Sequence, residues 1–310
     1  MSFMLLGILQ SQASGPSLPS PTAGYWAGRD NSPNNRTVNR LDFNTEVRTV
    51  APFTLRIASR NLGTFSDAGV AGYFVGGSDD GTPFSNVDKV DFATETRAAT
   101  TALISSQYGT PSNLGNRNVA GYMAVSANSD GAFNKLAFPT DTRSYFSTSA
   151  RYRTRSSPGA TNFAVAGYVY GGDLTANRND LAKLNYSTET WSTLADKLPF
   201  SDASQRMGGA SNSGSASYLR VGDFSNRQRI YKMPFATETF SLLGTDMTAS
   251  LYTSGIGNVG VSGYFAGGDN DLTNKIDKIN FVNDTRSANY RQLSEDSYAL
   301  SSIENGGANV

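Results

Sequence analysis

A closed all-β fold, a six-bladed β-propeller with four strands per blade, is what this sequence predicts. Three observations carry that prediction. A Gly-Tyr frame recurs six times at a period near fifty residues. Each copy holds short apolar runs of strand length, parted by turns rich in Gly, Asp, Asn, Ser and Thr. The last residues read like a segment that elsewhere leads into a Gly-Tyr, so the end of the chain supplies what the first copy lacks.

The frame is clearest in residues 71–97, AGYFVGGSDDGTPFSNVDKVDFATETR. The tyrosines that follow Gly (Ser217 in one copy) are Tyr25, Tyr73, Tyr122, Tyr168, Tyr218 and Tyr264, spaced 48, 49, 46, 50 and 46 apart. The aromatics that close each copy are Phe43, Phe92, Phe138, Tyr186, Phe235 and Phe281, spaced 49, 46, 48, 49 and 46. A fixed period of this length marks a repeat architecture whose units bury their faces only against neighbours. Repeats start near residues 23, 71, 120, 166, 216 and 262. Six such units need a ring, and propellers of four to eight blades are usual.

Composition narrows the chemistry. Over 310 residues Lys plus Arg equals Asp plus Glu at 26 each, which is not the basic footprint of a nucleic-acid binder. Without Cys there are neither disulfides nor thiolate metal sites. Without His the commonest general base and metal ligand is missing, and only carboxylate, Tyr or Lys chemistry remains. The 31 glycines suit many short strands joined by tight turns. No apolar run approaches the roughly 18 residues of a membrane span. No cofactor is expected.

Residues 1–22 match nothing in the repeats and are expected to form an arm apart from the propeller of residues 23–310. The stretch MSFMLLGIL is apolar, and residues 10–21 form a linker rich in Ser and Pro. It has no Lys or Arg, unlike the basic start of a secretory signal. Its side chains Phe3, Met4, Leu5, Leu6, Ile8 and Leu9 are too few for a core and are expected to anchor the chain to another protein.

Within each repeat the first apolar run carries Tyr and a large apolar neighbour (Trp26, Phe74, Met123, Val169, Leu219, Phe265) that point to opposite faces of a strand. Both faces are therefore buried. Asp80-Gly81 and Asp130-Gly131 signal hairpin turns. The next strand places an apolar residue five and two before the closing aromatic, as in Val87 and Val90, which again uses both faces or a bulge. An x-Thr-Glu-Thr block then caps a tight turn, and a further strand follows, as in residues 97–104. The small, polar stretch before each Gly-Tyr suits the strand nearest the ring axis. Residues 301–310 match residues 156–165, so residues 295–310 are expected to complete the first blade.

The apolar strand ending in Gly-Gly, the second strand with its aromatic and the period near fifty resemble kelch repeats. The wording Gly-Tyr…Gly-Gly…Lys-x-x-Phe-x-Thr-Glu-Thr is similar to kelch-like repeats of structural proteins in tailed phages, cyanophages among them. The resemblance covers residues 23–310 and departs from the kelch pattern in two places. Only Trp191 stands where a tryptophan usually follows the turn, and the glycine doublet persists only at Gly76-Gly77, Gly171-Gly172 and Gly267-Gly268. The resemblance implies a non-enzymatic virion component in a tail, fibre or head-decoration position, located in the phage particle. Its partners would be other virion proteins, reached through the arm, and a host-surface glycan or protein. The alternatives are a free-standing propeller that binds a protein or glycan, and a carboxylate-based glycan hydrolase.

Two positions are invariant in charge. A base stands three before each closing aromatic (Arg40, Lys89, Lys135, Lys183, Lys232, Lys278) and an acid three after it (Glu46, Glu95, Asp141, Glu189, Glu238, Asp284). They form either charged rings that receive a partner or ion pairs repeated because the blade is repeated. Loop acids at Asp30, Asp79, Asp80, Asp130, Asp173, Asp223, Asp269 and Asp271 offer oxygen ligands of the kind calcium takes, without the dense Asp-x-Asp-x-Asp-Gly spacing. Ser78-Asp79-Asp80-Gly81-Thr82 is similar in composition to an Asp-box but lacks its spacing. Trp26, Tyr170 and Trp191 are either sugar-stacking aromatics or filling between blades. The closing aromatics Phe43, Phe92, Phe138, Tyr186, Phe235 and Phe281 are expected to form the inter-blade core.

Overall fold

The structure is a computed structural model. It describes residues 23–28, 36–79, 82–102, 113–124, 133–146, 159–171, 179–196, 198, 207–220, 228–244, 247–248, 252–268, 274–294, 296–297 and 300–305. The arm expected at residues 1–22, with Phe3 to Leu9, lies outside them. The described residues hold strands and no α-helix, so no helix is long and apolar enough to cross a membrane.

Blade one contains β1 (Ala23–Ala27), β2 (Thr37–Asp42) and β3 (Arg48–Thr54). Blade two follows with β4 (Gly63–Asp67), β5 (Ala71–Val75), the miniature hairpin β6 (Ser78–Asp79) and β7 (Thr82–Pro83), then β8 (Val87–Asp91) and β9 (Thr96–Ala99). Blade three is β10 (Asn113–Asn116), β11 (Ala120–Ala124), β12 (Phe133–Ala137) and β13 (Thr142–Phe146). Blade four is β14 (Gly159–Asn162), β15 (Ala166–Tyr170), β16 (Leu181–Asn185) and β17 (Thr190–Thr193). Blade five is β18 (Gly208–Asn212), β19 (Ala216–Arg220), β20 (Ile230–Pro234) and β21 (Ser241–Gly244). Blade six is β22 (Ser254–Asn258), β23 (Ser262–Ala266), β24 (Lys275–Asn280) and β25 (Arg286–Gln292), after which β26 (Ser301–Glu304) returns to blade one.

The result is six four-stranded antiparallel sheets. Their innermost strands touch in the cyclic order β26, β4, β10, β14, β18, β22 and back to β26, so the ring is closed. Closure is made by β26 on β1, with Tyr25 opposite Ile303 and Gly24 opposite Glu304. The Asn305 N–H extends the ladder to the Ala23 carbonyl at 2.9 Å.

The register corrects one detail of the sequence match. In blade four the Gly of Gly-Tyr lies opposite Thr161, so Glu304 corresponds to Thr161 and Asn305 to Asn162. Residues 301–310 were expected opposite 156–165, and the true offset differs by two. A slip of two preserves which side chains share a face, and composition alone does not register it.

In β1, β5, β15, β19 and β23 every residue is buried, because both sheet faces lie against neighbouring blades. The glycine before Tyr is dictated by that packing. A Cβ on Gly24 would come within 2.1 Å of Ile256 Cδ1 in blade six, and one on Gly72 within 2.3 Å of Ile303 Cδ1. Blade five carries Ser217 instead, and there the hydroxyl accepts the Tyr170 O–H of blade four at 2.7 Å.

Each closing aromatic is the first residue past its strand, and its ring stacks on the tyrosine of the preceding blade. The pairs are Tyr25–Phe92, Tyr73–Phe138, Tyr122–Tyr186, Tyr168–Phe235, Tyr218–Phe281 and Tyr264–Phe43, with centroids 4.6–5.9 Å apart. All six closing rings are at most 8% exposed. The stack at Tyr264–Phe43 joins the last blade to the first, so the aromatic seam runs the full circle. The outermost strand of blade two ends at Ala99, short of the residues 97–104 expected; residues 103–104 lie outside the described set.

Candidate functional site

Antiparallel order puts the turns that follow the innermost and third strands on one face of the ring. The invariant acids lie in the turns after the third strands. Glu46, Glu95, Asp141, Glu189, Glu238 and Asp284 all have φ between 50° and 56°, a left-handed conformation uncommon outside Gly and Asn. Nearby side chains hold the turn: Asp91 accepts the Thr94 N–H and O–H, both at 2.8 Å, and these bonds lower its pKa.

The left-handed turn aims each acid at the preceding blade. There the carboxylate accepts the tyrosine O–H at 2.6–2.9 Å, in the pairs Tyr25–Glu95, Tyr73–Asp141, Tyr122–Glu189, Tyr168–Glu238, Tyr218–Asp284 and Tyr264–Glu46. The invariant base of that same blade reaches the same carboxylate: Arg40–Glu95 at 2.5 Å, Lys89–Asp141 at 2.8 Å, Lys183–Glu238 at 2.5 Å and Lys232–Asp284 at 2.9 Å. Lys135 pairs likewise with Glu189, and Lys278 with Glu46. In five blades the ammonium also lies 5.5–5.8 Å from its tyrosine ring centroid, within cation–π range.

Burial, then the bond to the carboxylate, raises the pKa of all six phenols, so they remain donors across the physiological range. Burial alone would raise Glu46, but bonds from Lys278, Tyr264 and Tyr290 outweigh it and leave its pKa lowered. Each Tyr–base–acid set therefore couples one blade to the next. The two charged positions form ion pairs between blades rather than two separate rings.

A second set of clasps was not found in the sequence. An Asn or Asp lies six residues before each Tyr from the second copy on: Asp67, Asn116, Asn162, Asn212 and Asn258. It ends the innermost strand, and in three blades its side-chain oxygen accepts a turn N–H of the next blade. Asp67 takes Asn118 N–H at 2.7 Å, Asn162 takes Gly214 N–H at 3.0 Å, and Asn212 takes Gly260 N–H at 2.8 Å. The fixed offset was the signal.

Around the axis the innermost strands line a partly open cavity of about 160 Å³. Where the strands come close, glycine is required: a Cβ on Gly159 would fall within 2.0 Å of the Asn113 carbonyl. Opposite the Gly-Tyr glycine (Ser217 in blade five), the six innermost strands carry Ser66, Gly115, Thr161, Ser211, Gly257 and Glu304. At this level the side chain of each residue other than the two glycines accepts the backbone N–H of the blade before. Ser66 Oγ takes Glu304 N–H at 3.2 Å, Thr161 Oγ1 takes Gly115 N–H at 3.3 Å, and Ser211 Oγ takes Thr161 N–H at 3.0 Å. Glu304 Oε2 accepts the Gly257 N–H in the same way. Among the described residues Glu304 is the one carboxylate that lines the cavity, and burial pushes its pKa up to about 7 against the lowering effect of that bond.

The other candidates are placed as follows. Trp26 and Tyr170 are fully buried, with Trp26 Nε1–H donating to Ser254 O at 3.2 Å, so neither offers a face to a sugar. Trp191 is partly buried against Phe133, at 4.8 Å between centroids. Of the loop acids only Asp79 is described, in β6; Asp30, Asp80, Asp130, Asp173, Asp223, Asp269 and Asp271 lie outside the described residues. Among the described residues no three Asp or Glu side chains converge as a metal site would require. No family model matches this sequence, and no curated protein matches it.

Proposed function

We propose that this chain is a non-enzymatic structural component of a tailed-phage particle, a kelch-like propeller carried in a tail, fibre or head-decoration position. In this reading the arm of residues 1–22 anchors it to another virion protein, and the ring presents its loops to a host surface or a neighbouring subunit. The observation that carries the reading is the commitment of the repeated charges. Each invariant acid already accepts a phenol and a base from the neighbouring blade, so these acids build the ring rather than act as a catalytic pair. What is repeated is scaffold, and what varies between copies is loop, the usual division between fold and recognition. The wording of the repeats and the apolar segment MSFMLLGIL support the phage assignment.

Deleting residues 1–16 tests it. The expected result is an unchanged melting temperature for the isolated propeller and loss of incorporation into particles. A deletion that destabilises the propeller while particles still take it up makes the arm part of the fold and removes the support for a virion role.

A further inference from the structure

The axial cavity contains a charge that the fold does not need. At the level of Glu304, three blades satisfy a neighbouring backbone N–H with a hydroxyl, from Ser66, Thr161 or Ser211. Blade one does the same task with a carboxylate. A serine would meet the Gly257 N–H without placing a charge among the innermost strands, and an unpaired charge that is buried there is costly. Among the described residues no Lys or Arg lines the cavity, and no salt bridge joins Glu304 to another of them. The cavity lining around Glu304 includes the hydroxyls of Ser66 on β4 and of Ser302 on its own strand. Towards the end where the innermost strands begin, Leu62, Met207 and Leu300 line the space with aliphatic carbon.

We propose that this cavity binds an alkylammonium group, with Glu304 as its counter-ion. An ammonium has three donors and no acceptor, so one carboxylate and two hydroxyl oxygens match it. Its alkyl stem suits the aliphatic end. The volume of about 160 Å³ far exceeds the ~10–15 Å³ that a single water requires on this measure. A single carboxylate is a poor set for calcium, which takes six to eight oxygens. An anion would be repelled, and a neutral polyol would leave the charge uncompensated. Burial raises the pKa of Glu304, and a cation bound beside it would oppose that rise. The inference concerns the ring alone and stands whether or not the arm anchors a particle.

The test uses the full-length, 15N-labelled protein at pH 8, titrated with n-butylamine, with Nα-acetyl-lysine amide and with n-butanol as the uncharged match. Both cations should shift the Gly257 amide resonance saturably while n-butanol does not. Tighter binding of the lysine derivative marks a protein side chain as the natural occupant, and tighter binding of butylamine marks a free amine. Glu304→Ser keeps the acceptor for Gly257 and should weaken amine binding by at least about tenfold, the worth of one charge-assisted bond. Glu304→Gln should do the same, which guards against a local repacking by serine. Absence of a saturable shift in the unmodified protein, equal binding of n-butanol, or undiminished binding by both folded variants overturns the proposal.

Discussion

Replacing Phe281 with Ala separates what holds the ring from what adjusts it. Phe281 is 6% exposed, and its ring lies 4.6 Å from that of Tyr218 in blade five. It packs in one cluster with Ala210, Phe265 and Ile279. Truncating a buried Phe costs about 3–5 kcal/mol. The lost ring pair, worth about 0.5–1.5 kcal/mol beyond its area, places Phe281→Ala in the upper part of that range. Lys232→Ala acts at the same blade junction. It removes the 2.9 Å pair with Asp284, but the two side chains are 24% and 30% exposed, and Asp284 keeps the Tyr218 O–H at 2.8 Å. The expected cost is therefore about 1 kcal/mol or less. Urea unfolding reads both, as a shift in midpoint at constant slope. Equal costs for the two variants would show that charge, not aromatic packing, joins the blades, and the division between core and surface argued above would be wrong.

The remaining predictions concern closure, charge and burial. Removing residues 295–310 deletes β26 and leaves β1 as an open edge, so the shortened chain should aggregate or melt far below the full one; equal melting would end the case for ring closure. Glu304 has a folded pKa raised above its unfolded value, so its contribution is fully present below about pH 4.5 and is lost as pH rises through about 7. Between pH 5 and 8 the protein should lose up to roughly 3 kcal/mol from this group, and Glu304→Gln should flatten that slope; an unchanged slope would exclude Glu304 as its source. Arg220 and Asp277 are 2% and 1% exposed and lie 3.1 Å apart, so Arg220→Ala should cost about 3–5 kcal/mol through the buried charge left behind, and a shift within 1 kcal/mol would contradict that.

The ring and its repeats were legible in the sequence because both are periodic. Six tyrosines and six closing aromatics at one spacing required equivalent surroundings, and the stacked pairs from Tyr25–Phe92 to Tyr264–Phe43 are those surroundings. The destination of the charges was not legible. Lys89 and Asp141 are 52 residues apart, and only the mutual rotation of two blades brings them to 2.8 Å. Glu304 was hidden for a different reason. It breaks the pattern of Ser66, Thr161 and Ser211, but the break becomes visible only once the register of β26 is known.

The seam between β26 and β1 also sets a timetable for synthesis. Blade one lacks its innermost strand until residue 301 has been made, although β1 begins at residue 23. At the usual ~5–20 residues per second, that edge waits on the ribosome for roughly a quarter of a minute to one minute. Blades two to six draw all four strands from consecutive sequence and can form in order of emergence. The vulnerable interval of this protein's life is therefore at its birth. A circular permutant that starts at β4, so that blade one is made last and whole, should shorten that interval without changing a contact in the finished ring.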